Sequence, residues 1–530
     1  MAMSRNERLA WMALIVVALV LHLSALGARP PHHDESIHCQ FAYTLMTQGT
    51  YRYDPTYHGP LLYYVLVGFF ALFGATTTVS RLYPALAGVA LVALPIVLRR
   101  RLGRATAWWC GVLLAISPIM LYYSRFTRND VPVALFTAVA LTLFLLVREK
   151  GWRPIPWIGA AAAAHAISKE TFYVLLPLLG AASYVTALRD GVWESVRKAF
   201  AWIDRYRVAV GTAILWFVIV TLTAYTVFLT HPEDFLFPVK AIQYWYHQHE
   251  IQRVGGPKTY HLTRLALYEF LPIAAAFIWV GRRALSRWRN GVPTYGHPNR
   301  SPWGSLLPLS RLELFCFAWG VGGIAMYAFL GEKVPWLEVH QVLPFIPLAG
   351  AQLARTFSRR GRWWSRSLAA AGIVATVWSA AASSFLYPAM TTSDPHGELI
   401  VFVQTTPEEE ALADEGRALA AVHKGDTPVA AVEGEGAWPL SWQWKKVPVW
   451  WAMPEKGMHP ELVVCDPGQE GAVRERVGED YSVHRIPFRA WWVENVPGVT
   501  ASAVLRWFFT RKTWSPIGST DVMVLESKEK

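Results

Sequence analysis

The chain reads as long apolar runs separated by short basic clusters. The runs cover residues 9–27, 79–98, 105–123, 131–147, 157–168, 171–188, 208–230, 265–281, 312–330, 339–354 and 367–387. Taken as membrane spans they predict about eleven crossings. The clusters Arg99-Arg100-Arg101 with Arg104, Arg148 to Arg153, the basic segment 189–207, Arg282 to Arg289 and Arg355 to Arg366 fall after alternate runs. The positive-inside rule assigns those turns to the cytoplasm. Arg5 and Arg8 precede the first run, which lacks a small-residue cleavage site and is read as a retained span with the N-terminus inside. An odd number of crossings then leaves the C-terminus outside. Two stretches between the first two spans need not cross. Residues 34–45 carry Ile37, Phe41 and Leu45 at i, i+4 and i+8, as an interfacial amphipathic helix does, and residues 60–74 are short enough to be interfacial or re-entrant. Together they make an outer loop of about residues 28–78. Residues 157–168 and 171–188 form a tight helical pair turning on the outside at Lys169-Glu170, and 231–264 is a second outer loop.

Past residue 388 the pattern changes to acidic clusters, turn residues and short β-branched runs. The chain therefore divides into a membrane domain, 1–388, and an extracytoplasmic α/β domain, 389–530. Residues 398–404 predict a buried strand. Thr406 predicts a helix cap, with Pro407 at the first helical position, Glu408 to Glu410 in the first turn and Gly425 past the end. Further strands are predicted at 428–432 and 462–465. Gly434 and Gly436 do not complete a dinucleotide fingerprint.

Composition agrees with a polytopic α-helical membrane protein: 53% of the residues are hydrophobic, 17% are charged, and mean hydropathy is +0.25. The formal charge of +12 is dispersed through the turns, a distribution that argues for topology signals and against nucleic acid. Four cysteines are too few and too scattered for a disulfide framework or zinc site. Only Cys39 and Cys465 fall in the same, outer compartment.

Ionisable residues near membrane depth but outside the cytoplasmic turns are His32, His33, Asp34, Glu35, His58, Arg125, Arg128, Asp130, Lys169, Glu170, Glu332, Lys333 and His340. They come from several separate turns of one side, as a cavity at the outer leaflet requires. Arg125, Arg128 and Lys169 defy the positive-inside bias, and their forked or point-like cations suit a phosphorylated lipid headgroup. Asp34 is the candidate general base, with Glu35 beside it; the alternative reading makes Asp34 a helix N-cap. His33, Asp34, Asp130 and Glu170 are candidate ligands for a divalent cation, magnesium or manganese. His247, His249 and Glu250 read as a loop contacting the acceptor.

Asp34-Glu35 after the first span, Tyr57-His58-Gly59-Pro60-Leu61-Leu62-Tyr63-Tyr64, Arg81-Leu82-Tyr83-Pro84-Ala85-Leu86, Ser124-Arg125-Phe126-Thr127-Arg128-Asn129-Asp130 and Ser168-Lys169-Glu170-Thr171 resemble the GT-C superfamily of membrane glycosyltransferases. That superfamily includes the lipid A aminoarabinose transferases and the protein O-mannosyltransferases. Tyr53-Asp54-Pro55, His58-Gly59-Pro60, Gly331-Glu332-Lys333-Val334-Pro335-Trp336 and Val403-Gln404-Thr405-Thr406 are similar to the flippase-activity-associated proteins of archaea and bacteria. The resemblance implies a polyprenyl-phosphate-linked sugar as donor and a protein, lipid or glycan acceptor on the outer side of the cytoplasmic membrane. It also implies inverting transfer, with Asp34 as catalytic carboxylate and His58, Arg125, Arg128, Lys169 or Lys333 at the lipid phosphate. Where the aminoarabinose transferases carry Lys before Pro-Pro, this chain has His58-Gly59-Pro60, so the donor sugar does not carry over. A non-catalytic partner of a lipid-linked oligosaccharide flippase is the alternative. A transporter fits less well, because no inverted repeat is visible.

Overall fold

A computed structural model describes residues 3–250, 256–289, 309–359, 361–425, 427–492 and 498–528, apart from the side chains at 245, 248–250 and 287. Among these residues, seven helices are long and apolar enough to cross a membrane: Arg5–Leu23, Thr77–Leu102, Asp130–Lys150, Thr171–Asp190, Arg207–Tyr225, Arg311–Phe329 and Trp363–Leu386. Two bent pairs, Arg104–Ile116 with Pro118–Ser124 (59°) and Tyr260–Tyr268 with Phe270–Ser286 (93°), raise the number to nine if each is one span.

Two of the eleven expected runs fall short of that test, for local reasons. The run at 157–168 is the twelve-residue helix Ile155–Ala166. The run at 339–354 is broken into Glu338–Val342, Leu343–Phe345 and Ile346–Thr356, because Pro344 and Pro347 cannot donate to the preceding turn. The bends of the two broken pairs satisfy each other. Glu269, at one break, accepts from Ser117 Oγ at 2.5 Å and from the Ile119 amide at 3.0 Å, at the other. Its carboxylate thus meets backbone and hydroxyl donors that the break at Ser117 releases.

The chain falls into two compact units. The first comprises Met1–Ser24, Tyr51–Val65 and Arg81–Ala381. Small side chains let its helices meet at backbone distance, the usual source of association where lipid supplies no hydrophobic drive. A β-carbon added to Gly159 would lie 2.0 Å from the Ala213 carbonyl oxygen, so Ile155–Ala166 can pack on Arg207–Tyr225 only with glycine there.

The second unit comprises Ala25–Thr50, Leu66–Ser80 and Ala382–Lys530. It holds a six-stranded mixed sheet of β1 (Gln404–Thr405), β2 (Ala430–Val432), β3 (Val449–Trp450), β4 (Leu462–Cys465), β5 (Tyr481–Trp491) and β6 (Gly518–Ser527). Their order is β1-β5-β6-β4-β2-β3. The pairs β2·β3 and β2·β4 are parallel, and the other three are antiparallel. Alternation sends Ala430, Val432, Leu462 and Val464 into one core with Leu412 and Trp444, and Ala431, Val463 and Cys465 into another with Val473 and Val477. Both faces of the central strands are therefore covered.

Thr406 caps the helix Pro407–Val422 by accepting from the Glu409 amide at 3.2 Å, and Pro407 opens it. The strand expected at 398–404 is reduced to Gln404–Thr405. Residues 398–401 are buried without joining the sheet, and Glu398 pairs instead with buried Arg511 at 3.0 Å. Strands β3, β5 and β6 escape the sequence reading. Pro487 sits within β5 beside an irregularity in its pairing with β6, and charged residues stand along both strands. All four cysteines are free and buried.

The close contact at Gly159 gives a test of packing. Gly159→Leu should destabilise the protein by about 1–3 kcal/mol or prevent assembly, as overpacking does. Gly211→Leu, where an added β-carbon meets nothing within 4 Å, should leave the thermal midpoint in detergent nearly unchanged.

Candidate active site

In the first unit, three turns bring ionisable groups together. The helix Asp130–Lys150 begins with Asp130, which is 1% exposed and whose Oδ1 lies 2.7 Å from Lys169 Nζ and 3.4 Å from His340 Nε2. Arg128 Nε is 3.5 Å from the other oxygen, and its guanidinium lies 3.8 Å from the centre of the Trp336 ring. Lys169 belongs to the turn between Ile155–Ala166 and Thr171–Asp190, with Glu170 next to it. Glu170 accepts from His58 Nδ1 at 2.9 Å and from the Tyr53 hydroxyl at 3.4 Å.

His58 links the two carboxylates. Because Nδ1 faces a carboxylate and Nε2 faces Arg128 Nη2 at 3.4 Å, Nδ1 carries the proton and Nε2 accepts. The residue sits at φ +69°, a conformation that non-glycine residues seldom adopt. It is held there by its neighbour: the Gly59 amide donates to Ser168 O and the Leu61 amide to Ile167 O. A β-carbon on Gly59 would stand 2.2 Å from Ile167 O, so glycine is required for this approach. The motif Tyr57-His58-Gly59-Pro60 is thus a device for clamping one loop onto the Lys169-Glu170 turn.

Two cations expected at the lipid phosphate have other work. Arg125 Nη1 donates to Leu21 O at 3.0 Å and Ser24 O at 2.5 Å, at the end of the first span. Lys333 Nζ donates to Tyr327 O, Ala328 O and Leu330 O at 2.7, 3.0 and 2.5 Å, closing the end of Arg311–Phe329. Both satisfy carbonyls that a helix C-terminus leaves exposed. The sequence reading missed Trp336 as the platform for Arg128, and the buried pair His261–Glu338 at 2.9 Å. Glu338 adjoins a run read as a span, and its exclusion from the polar set follows from that.

Asp34 and Glu35 belong to the second unit, in the helix His33–Gln48. The cap of this helix is His32, not Asp34: its Nδ1 accepts from the Asp34 amide at 2.9 Å, and Glu35 Oε2 accepts from the His32 amide at 3.0 Å. Glu35 is fully buried and 3.6 Å from Arg29, which makes it a capping and pairing group. Asp34, half-buried at the second helical position, sits where the helix dipole favours its negative charge. With Nδ1 accepting, His32 Nε2 must donate to Phe402 O at 2.6 Å, so the ring is neutral, and burial pushes its pKa down to about 4. His33 Nδ1 accepts from Arg489 Nη1 at 2.7 Å. Burial, with the Arg489 charge, lowers its pKa as well. Arg489 in turn pairs with Glu435.

The candidate metal ligands divide between the units, His33 and Asp34 in the second and Asp130 and Glu170 in the first. Among the described residues no three His, Cys, Asp or Glu side chains stand close enough to share an ion. His33 is engaged by Arg489, Asp130 by Lys169, and Glu170 by His58. His247 is exposed on Phe237–Glu250, while the side chains of His249 and Glu250 lie outside the described residues.

The family model for dolichyl-phosphate-mannose-protein mannosyltransferases matches residues 57–216, which include His58, Arg128, Asp130, Lys169 and Glu170. No curated protein matches in sequence. Among solved structures, ArnT from Cupriavidus metallidurans bound to undecaprenyl phosphate is 17% identical, with a TM-score of 0.62 over 98% of each chain. Its apo form gives 0.60 at 17% identity over 97% of each. The oligosaccharyltransferase AglB from Archaeoglobus fulgidus, in complex with an inhibitory peptide and a dolichol-phosphate, is 12% identical with a TM-score of 0.52, covering 88% of this chain and 70% of that one.

Two tests follow from the geometry. Lys169→Met strands a buried carboxylate and should cost about 3–5 kcal/mol. Adding Asp130→Asn should return part of that in a thermal or denaturant unfolding measurement. His32 offers a second test, through pH. A folded pKa below the unfolded value of 6.5 means that the unfolded state binds the extra proton, so stability is present above pH 6.5 and is lost as pH falls toward about 4. His32→Gln should flatten that loss in acid unfolding curves; an unchanged slope would put the acid sensitivity elsewhere. On motifs and architecture together, the chain is a polytopic membrane protein with the GT-C glycosyltransferase fold.

Proposed function

We propose that this protein is a membrane glycosyltransferase that moves a sugar from a polyprenyl-phosphate carrier to an acceptor hydroxyl, with the C-terminal unit outside the cytoplasmic membrane. The observation that carries the reading is the buried ion network on Asp130, which fixes Arg128 and His58 in a segment matched by the mannosyltransferase model. The likeness to a transferase whose structure holds undecaprenyl phosphate supports the choice of donor.

The chemistry balances as an inverting displacement. The acceptor oxygen attacks the anomeric carbon while the Asp34 carboxylate takes its proton. The bond from that carbon to the phosphate oxygen breaks, and the carrier leaves as polyprenyl phosphate with the electron pair. Arg128 is the cation suited to the departing phosphate: Trp336 holds its plane, whereas Arg125 and Lys333 cap helices and Lys169 pairs with Asp130.

Charge balance adds a condition. Arg128 and Lys169 stand against Asp130 and Glu170, so an arriving phosphate competes with carboxylates for Arg128. His58 stands between Glu170 and Arg128 and orients both side chains toward that phosphate.

The decisive assay is transfer of labelled sugar from a panel of polyprenyl-phosphate donors by purified protein. Asp34→Asn should lower kcat by at least about a hundredfold with donor binding retained, the scale expected of a lost general base. Full activity in that variant would remove the assignment, and carrier binding without transfer from any donor would favour the flippase-partner role. His58→Ala, which removes the ring between Glu170 and Arg128, should weaken carrier binding; unchanged affinity in the folded variant would remove His58 from the donor site.

A further inference from the structure

The first unit contains a cavity of about 410 Å³ that the proposed chemistry does not use. It is lined by Trp279 and four arginines, Arg282, Arg283, Arg289 and Arg355. These lie at the C-terminal ends of Phe270–Arg289 and Ile346–Thr356. The helix Phe270–Arg289 has twenty residues and rises about 30 Å, the thickness of a bilayer core. Its other end adjoins Tyr260–Tyr268, whose His261 pairs with Glu338, two residues from His340 of the Asp130 network. The lining begins at Trp279, about 14 Å along this helix from its start, and continues to its last residue, so the cavity is separate from the Asp130 network.

Its charge is poorly compensated. Glu313 is the one carboxylate among the described residues paired with any of the four, at 3.8 Å from Arg283, and it is already shared with Trp279 Nε1 at 2.7 Å and the Ser310 amide at 2.6 Å. The flanking sequences 290–308 and 356–366 contain no Asp or Glu but add Arg300, Arg359, Arg360, Arg362 and Arg366. Topology alone accounts for basic residues in these turns. It does not account for four guanidinium groups from two separate helices converging on one concavity, where their repulsion goes unanswered without an anion. The level is that of lipid headgroups: Trp288 and Trp363, beside the cavity in sequence, are 80% and 78% exposed, as in an interfacial aromatic belt.

We infer that this cavity is a second phosphate site, which takes the phosphomonoester headgroup of a membrane lipid. Forked arginines match the oxygens of a dianionic phosphate, and basic pockets between spans favour anionic headgroups.

The test uses full-length protein in detergent, native mass spectrometry, and dioleoyl phosphatidic acid as the probe, with phosphatidylcholine and inorganic phosphate as the other arms. Wild type should retain phosphatidic acid in preference to phosphatidylcholine. Arg282→Gln/Arg355→Gln should weaken that binding about tenfold. The control Arg148→Gln/Lys150→Gln removes equal charge from another exposed turn and should bind as wild type does. Equal loss in the control, or unchanged binding in the cavity variant, would overturn the site. Inorganic phosphate competing as well as the lipid would overturn the headgroup as its source. Matching thermal midpoints in phosphatidylcholine would show that both variants are folded.

Discussion

The ion pair between Asp130 and Lys169 is the constraint on which the rest of the candidate site depends. Both groups are almost fully buried, and two charges withdrawn from water repay their desolvation only when geometry is good and further partners are present. His340 and Arg128 are those partners. Asp130 therefore joins the start of one span, the turn between two further helices and the short helix Glu338–Val342. A change in any of these elements is felt at Arg128, whose plane is set by Trp336 on one face and by Asp130 at its edge.

The loop carrying His58 is tied into this arrangement through backbone rather than charge. Hydrogen bonds from the Gly59 and Leu61 amides to the carbonyls of Ser168 and Ile167 bring Tyr57-His58-Gly59-Pro60 against the Lys169 turn. Gly59 permits the approach, and His58 accepts an unfavourable φ as its consequence. The imidazole is then delivered between Glu170 and Arg128, where one nitrogen donates and the other accepts. A loop placed by backbone contact thus holds one ring at a fixed position between a carboxylate and a guanidinium.

Much of this was legible in the sequence, and the failures have physical causes. Hydrophobic runs located the spans, and a capping threonine followed by proline located Pro407–Val422, because both signals are local. Prolines at 344 and 347 were present in a run still read as a span, since average hydropathy is blind to a missing amide. Strands β5 and β6 pair with each other over their whole lengths, and long-range pairing leaves little local trace. For the site, residue type and membrane depth picked out Arg128, Asp130, Lys169, Glu170, His58 and His340, which do converge. The same criteria could not distinguish a carboxylate that caps a helix, Glu35, from one placed at the second helical position with its charge favoured by the dipole, Asp34.

Arg125, expected at a phosphate from the charge bias, and Lys333, expected there from the family resemblance, both serve helix ends. A positive charge on the side of the membrane that disfavours it needs a compensating interaction, and an anionic ligand is one such interaction. Helix ends supply another, because the last carbonyls of a span lie unsatisfied near the interface, and a long cationic side chain can reach several of them at once. Lys333 spends all three donors this way, and Arg125 reaches two carbonyls from one nitrogen. A cation near the end of a span therefore marks a fixed partner, and the partner's chemistry decides its role. Where that partner is a carbonyl the cation holds the fold together; where it is a carboxylate within a network, as for Arg128, the charge is positioned and can be shared with an incoming anion.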